Sequence, residues 1–373
     1  MERRARPRDD DAGRGDVRRD GCAARVTGAT GPGVWPGVDA LEAYLTIVGD
    51  LSDVPDGVQG MPFLAQLPAR GAGALPVART AALLADMPVE LGPHGWKLSD
   101  HPGMDLERAL AFLREDLDAL AVAAHGYTGP LTVQVVGPWT LAATVYLARG
   151  DRVLADHGAV AELAASLATG LGEHLAAVRG QAPGAQLTVQ VDESLLGQVA
   201  AGVIPSFSGY SRLRAVRGPD LIDGLRPVLE AAREAQARSV VHVGQAWVGI
   251  APAVLSGADA VGVELGSTTD GPGWNEHGWE LVARMIERGT HLWAGLPPAT
   301  VSQCAGTDVR GLADLVTVPW RRMGLPAAGL ADVVLTSAGS AATLAASGTP
   351  DAARGALGAV VRAAAIVAER SAD

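Results

Sequence analysis

Eight times along this chain a short apolar run ends in Gly, Pro or a polar residue, and a helical segment follows. The runs are AARVTGATG at 23–31, MPVELGP at 87–93, LTVQVVGP at 131–138 and QLTVQVDES at 186–194. They continue with SVVHVGQ at 239–245, ADAVGVELG at 258–266, THLWAGLPP at 290–298 and DVVLTSAGS at 332–340. Runs without clean alternation suit parallel strands that face helices on one side and a core on the other. The segments between them carry helical signals. Residues 105–124 open on Asp105, an acidic cap, and set Leu106, Leu110, Leu113, Leu117 and Leu120 on one face. Residues 158–179, 219–237 and 274–288 repeat that pattern. Residues 349–370 open on Thr349-Pro350-Asp351, a cap with Pro at the first helical position. Eight strand–helix units predict an α/β protein, a single (β/α)8 TIM barrel over residues 22–373. An open doubly wound sheet is the alternative, but no strand leads into G-x-G-x-x-G. The Pro/Gly-rich stretch 32–86 is expected to hold one or two helices and a loop over one end of the barrel.

Composition agrees with that architecture. The chain has 373 residues, and such a barrel needs about 250 before insertions. It is 48% hydrophobic but only 4% aromatic, so the core must be built from Val, Leu, Ile and Ala. A net charge of −11 argues against a nucleic-acid surface, which needs a basic face. Two cysteines, Cys22 and Cys304, offer no disulfide framework and point to a reducing, cytoplasmic setting. No run reaches the roughly 18 apolar residues of a membrane span. The N-terminal Arg pairs are not followed by the apolar stretch of a signal peptide. Residues 1–21, charged and nearly free of large apolar side chains, are expected to be a disordered tail. A small-molecule substrate is the expected partner, with no nucleic acid and no membrane; the oligomeric state is left open.

In barrels of this kind, chemistry gathers where strands finish. This chain places Gly137, Pro138, Trp139 and Thr140 after the third run and Asp192-Glu193-Ser194 after the fourth. His242 follows the fifth and Glu264 the sixth. Each has a plain structural reading. Gly-Pro-Trp turns a strand into a helix, an Asp-Glu pair caps a helix or sits in a solvated loop, and a lone His ends a strand. Glu264 nonetheless follows the very next strand after His242, which makes the two neighbours around the rim. A carboxylate after so apolar a run also needs a partner.

In order and spacing these strand ends resemble the C-terminal barrel of cobalamin-independent methionine synthase, within the wider group that includes uroporphyrinogen decarboxylase. The resemblance runs over about residues 24–370. It rests on GPGVWPGVD, VVGPWTLA, VDES, VVHVG, ADAVGVE and LTSAG, taken together. It implies a zinc ion held by the His and Cys of an H-x-C, a Glu after the sixth strand and a Cys after the eighth. It also implies a homocysteine sulfur on that zinc, methylated from a folate-type donor. The physical need is plain: a free thiol has a pKa of about 8.5, and metal coordination deprotonates it. Carried over, His242 and Glu264 fall on catalytic and metal-binding positions. The two cysteines fall on Gly244 and on or beside Gly339, so half of the zinc set is missing, and stable sites use three or four protein ligands. Cys304 and Cys22 do not stand in by position; His277 and His291 could contribute imidazoles, but nothing in the spacing places them.

Other departures follow. Val34 stands where the family carries Ser. Leu296-Pro297-Pro298 replaces an Asp-Ile-His run, and PARGAGALPVART holds no Glu where the family grips the substrate amine. Asp192 and Glu193 do match the family's Asp-Glu, whose first carboxylate helps bind that amine. Trp35, Trp139 and Thr140 complete the expected substrate site, with the two indoles stacking on a flat pterin-like donor. The resemblance thus implies a methionine-synthase-like methyltransferase with a depleted zinc site. A non-catalytic small-ligand-binding or regulatory descendant is one alternative. A metal-free decarboxylase, using Arg212, Arg214 and Arg217 for carboxylates, is another.

Overall fold

The computed structural model of the chain describes residues 26–268, 271–272, 275–304, 306, 308–337 and 348–373. The tail 1–21, Cys22 and Gly339 lie outside the described residues. Eight parallel strands form a nearly closed (β/α)8 TIM barrel with helices between strands. They are β1 (Thr27–Thr30), β2 (Val58–Met61), β5 (Pro130–Val136), β6 (Gln186–Asp192), β7 (Arg238–His242), β8 (Ala260–Glu264), β11 (His291–Leu296) and β12 (Val334–Ser337). Two ribbons lie outside the eight-stranded sheet: β3 (Val89–Gly92) with β4 (Gly95–Leu98), and β9 (Ser267–Thr268) with β10 (Gly271–Pro272).

The sheet runs β2-β1-β12-β11-β8-β7-β6-β5, which leaves a seam between β2 and β5. A parallel bridge between Phe63 and Thr132 crosses it. Leu64 N donates to Thr132 O at 2.9 Å and Thr132 N to Pro62 O at 2.8 Å. Higher up, side chains replace the missing ladder. Gln66 Nε2 donates to Gln134 O at 3.3 Å, and Val136 N donates to Thr80 Oγ1 at 2.9 Å. Buried backbone groups need partners, and here two polar side chains supply them.

One expected strand is corrected. MPVELGP contributes the antiparallel β3–β4 hairpin rather than a barrel strand. The second barrel strand is VQGM, inside the stretch expected to hold only helices and loop. With one Val, a Gln, a Gly and a Met, it lacks the β-branched run that marks its neighbours. Burial comes from its position between α1 (Ala40–Ser52) and the barrel interior, which local composition does not reveal.

The helices match the sequence pattern closely: α3 (Met104–Ala123), α5 (His157–Gln181), α7 (Gly218–Glu234), α9 (Glu276–Glu287) and the C-terminal α12 (Pro350–Ser371). Thr349 caps α12, its hydroxyl accepting from Ala352 N. Asp105 does not cap α3; its carboxylate accepts from Leu91 N and ties the helix to the hairpin. Val133, Val135, Val189, Val191, Val241, Val261 and Val263 join the main core with the helices. The opposite face of the strands turns inward, where Met61, Val240, Ala260 and Trp293 pack as a small cluster of their own. Among the described residues no helix is long and apolar enough to cross a membrane.

Candidate functional site

The site is assembled from three neighbouring strands. Asp192 of β6 pairs in register with His242 of β7, and His242 with Gly262 of β8. Paired residues in a parallel sheet point to the same face. Val240, two residues before His242, belongs to the interior cluster, so His242 and Asp192 face inward as well. Glu264 lies two residues beyond Gly262 on the same face. All three side chains are half-buried at the carboxyl ends of their strands. Gly262 is required there. A Cβ at that position would lie 2.4 Å from His242 Cδ2, so only glycine lets the imidazole lie across β8.

The electrostatics are one-sided. Burial, helped by nearby Glu264, pushes the Asp192 carboxyl up to about 7 against the lowering effect of its hydrogen bond from Gln190. Gln190 Nε2 donates to Asp192 Oδ1 at 2.7 Å. Burial pushes His242 down to about 4, so its ring is neutral at physiological pH. No ion pair among the described residues involves Asp192, His242 or Glu264. Among the described residues, neither acid at the barrel mouth has a cation paired to it.

Glu193, one residue on, turns to the outside of the barrel and is fully buried. Its Oε1 accepts from Trp139 N at 2.9 Å, and its Oε2 accepts from Thr140 N and Thr140 Oγ1, both at 2.8 Å. These are orphan donors at the start of α4 (Pro138–Thr144), whose own cap residue, Gly137, has no side chain to offer. Glu193 is thus a remote helix cap. Thr140 Oγ1 also accepts from Leu195 N. Trp139 is buried, donates from Nε1 to Leu221 O at 2.9 Å, and packs against Gly224 of α7. Trp35 is buried beside Phe63, ring centroids 6.3 Å apart. The polar atoms of Glu193, Trp139 and Thr140, expected at the substrate site, are hydrogen-bonded within the scaffold. Neither indole presents a free face for stacking.

The remaining candidates fall elsewhere. His277 is exposed on α9 and lies 3.7 Å from Glu280. His291 opens β11, at the barrel end opposite the mouth. Cys304 is a half-buried free thiol after α10 (Pro298–Gln303). Arg212 and Arg214 are exposed, and Arg217 pairs with Asp220 at 2.9 Å on the surface. In PARGAGALPVART, Arg70 and Arg79 both bind buried Asp116 and fasten this stretch to α3, Arg70 Nη1 at 2.8 Å.

Sequence reasoning passed over Gln134 and Gln190. The pentapeptide LTVQV occurs at 131–135 and again at 187–191, and the two copies pair with each other in register. Both glutamines face the interior. Gln134 Oε1, Gln134 Nε2 and Gln190 Oε1 are buried without a hydrogen-bond partner, an arrangement that costs about 1–3 kcal/mol per group. A Gln repeated inside two apolar strands was the available signal.

Zinc does not fit this set. Position 244 is a glycine at φ +59°, and a Cβ there would lie 3.9 Å from Glu264 Oε1, so a side chain at 244 would point toward Glu264. Glycine supplies no ligand. Residues 338–347, which include Gly339, contain no Cys, His, Asp or Glu. Among the described residues no group of three or more such side chains is placed to hold a metal ion.

No family model matches the chain, and no curated protein matches it. Among solved structures it is similar to a B12-independent methionine synthase from Shewanella sp. W3-18-1 in complex with selenomethionine. The TM-score is 0.44 at 16% identity, over 68% of this chain and 66% of that one. The chain thus spans just under two thirds of that protein's length. It is also similar to a GH18 chitinase from Pseudoalteromonas aurantia, TM-score 0.41 at 10% identity, over 83% of this chain and 93% of that one.

Proposed function

We propose that the chain is a methionine-synthase-like methyltransferase, transferring a methyl group from a folate-type donor to a small thiol that carries an amine. The observation that carries this reading is the pair of acids, Asp192 and Glu264, with no ion-pair partner among the described residues, on strand ends next to a neutral His242. A protonated amine between the two acids offsets one of their two charges and leaves one acid able to take up a proton. His242 is a poor base at about 4; it serves as a neutral hydrogen-bonding group. Asp192, near 7, is matched to proton transfer at physiological pH. In the proposed step an acid of this pair accepts the thiol proton. Sulfur forms a bond to the methyl carbon as the donor's bond to that carbon breaks, and the donor retains the electron pair and is protonated. No part of this step runs through a metal.

The test is methyl transfer by the purified protein from methyl-tetrahydrofolate to homocysteine. The expected result is turnover that falls by about 10²–10⁴-fold in Asp192→Ala and by a smaller factor, about tenfold for one lost hydrogen bond, in His242→Ala. Donor consumption at background in the unaltered protein overturns the reading. Saturable thiol binding without donor consumption supports the second reading, a non-catalytic ligand-binding descendant, which Gly244 in place of a cysteine favours.

A further inference from the structure

We propose that the ligand of this mouth is an amine whose other polar end is a primary carboxamide, read by the Gln134–Gln190 pair. This deepens the functional reading above and rests on it for the location of the site. The argument is one of satisfying hydrogen bonds. Gln134 and Gln190 are register partners on β5 and β6, and Asp192 stands two residues above Gln190 on the same face. The two glutamine residues are 7% and 5% exposed. The unpartnered atoms are two acceptors, Gln134 Oε1 and Gln190 Oε1, and one donor group, Gln134 Nε2. Gln190 is fixed by its bond to Asp192, which needs the amide nitrogen on that side.

What would satisfy this set is a group with two N–H donors and one carbonyl acceptor, and a primary carboxamide has that inventory. A carboxylate offers no donor. It would leave two amide oxygens facing an anion, directly below Asp192 and Glu264 and with no side-chain cation paired to either acid. The loop after β1 packs closely on Gln134 through a glycine. Gly33, at φ +83°, lies over its side chain, and a Cβ there would come within 3.0 Å of Gln134 Cδ.

Titration calorimetry on the full chain, with L-methioninamide and L-methionine as probes, tests the assignment. The amide is expected to bind at least about tenfold more tightly than the acid. Gln134→Met, close in shape but without the amide, brings the two affinities to within about twofold, while Asp192→Asn weakens both. Equal or tighter binding of L-methionine to the unaltered protein overturns the proposal. So does a preference that survives Gln134→Met, or no saturable binding of the amide at millimolar concentration. The readouts separate the two claims. A protein that prefers the amide yet methylates no thiol keeps this subsite and loses the functional reading. One that methylates homocysteine but prefers L-methionine does the reverse.

Discussion

Asp192 and Glu193 are joined by one peptide bond and live in opposite regions of the molecule. Asp192 faces the barrel mouth, half-buried, with one hydrogen bond from a side-chain amide. Glu193 faces the outer shell, fully buried, with three donors from the first turn of α4. Burial pushes both carboxyls up to about 7, yet they are not equivalent. Glu193 is saturated by the scaffold, whereas Asp192 has an oxygen and a neighbouring acid left to offer a ligand. A raised pKa marks burial; free hydrogen-bonding capacity is what separates a binding group from a brace.

The largest effect expected from this contrast is on stability. Glu193→Ala leaves two buried helix N–H groups and a hydroxyl without an acceptor and should cost about 3–5 kcal/mol, read by urea unfolding. A loss under 1 kcal/mol would break the comparison by showing that the cap is dispensable. Gly262→Ala comes next. Its Cβ would meet His242 at 2.4 Å, so the ring must move, at about 1–3 kcal/mol. A change in the His242 imidazole NMR resonances should accompany the loss.

Asp192→Asn should act mainly through pH. The Asp192 carboxyl is raised from 3.8 to about 7, so the folded state holds its proton more tightly than the unfolded chain does. That contribution is complete below about 4 and is lost as pH rises through about 7. The difference in Tm, variant minus parent, should therefore climb between those values and level off above them. A flat difference would show that Asp192 is not buried as described. The smallest effect is Gln190→Met. It removes the hydrogen bond that lowers the Asp192 carboxyl and should push that pKa further up, visible by carbon-detected NMR titration, with stability changed by under about 1 kcal/mol.

The outer shell was the more legible of the two regions. Helical periodicity located α3, α5, α7, α9 and α12 to within a few residues, because a stripe of Leu and Val at 3.6-residue spacing is a local signal. Seven of the eight expected strand runs are barrel strands for the same reason. The eighth, MPVELGP, was misplaced, because a hairpin and a buried strand draw on the same residue types over so short a run. At the mouth, the neighbourhood of Asp192, His242 and Glu264 followed from strand order. The separation of Asp192 from Glu193, and of the mouth from Trp139 and Thr140, did not. It depends on which face of β6 looks inward and on where α4 begins.

From the sequence by itself came the α/β class, the eightfold repeat, and the residues that finish the strands. These are consequences of local patterning, repeated often enough to admit one closed architecture. Only the tertiary structure decided which of those residues are free to act. It paired LTVQV with its own copy to leave amide groups unmet, laid His242 over Gly262, and consumed Glu193 as a cap. Each outcome turns on contacts between segments tens of residues apart, where hydrogen-bonding capacity is either met or left open, and no local pattern records that.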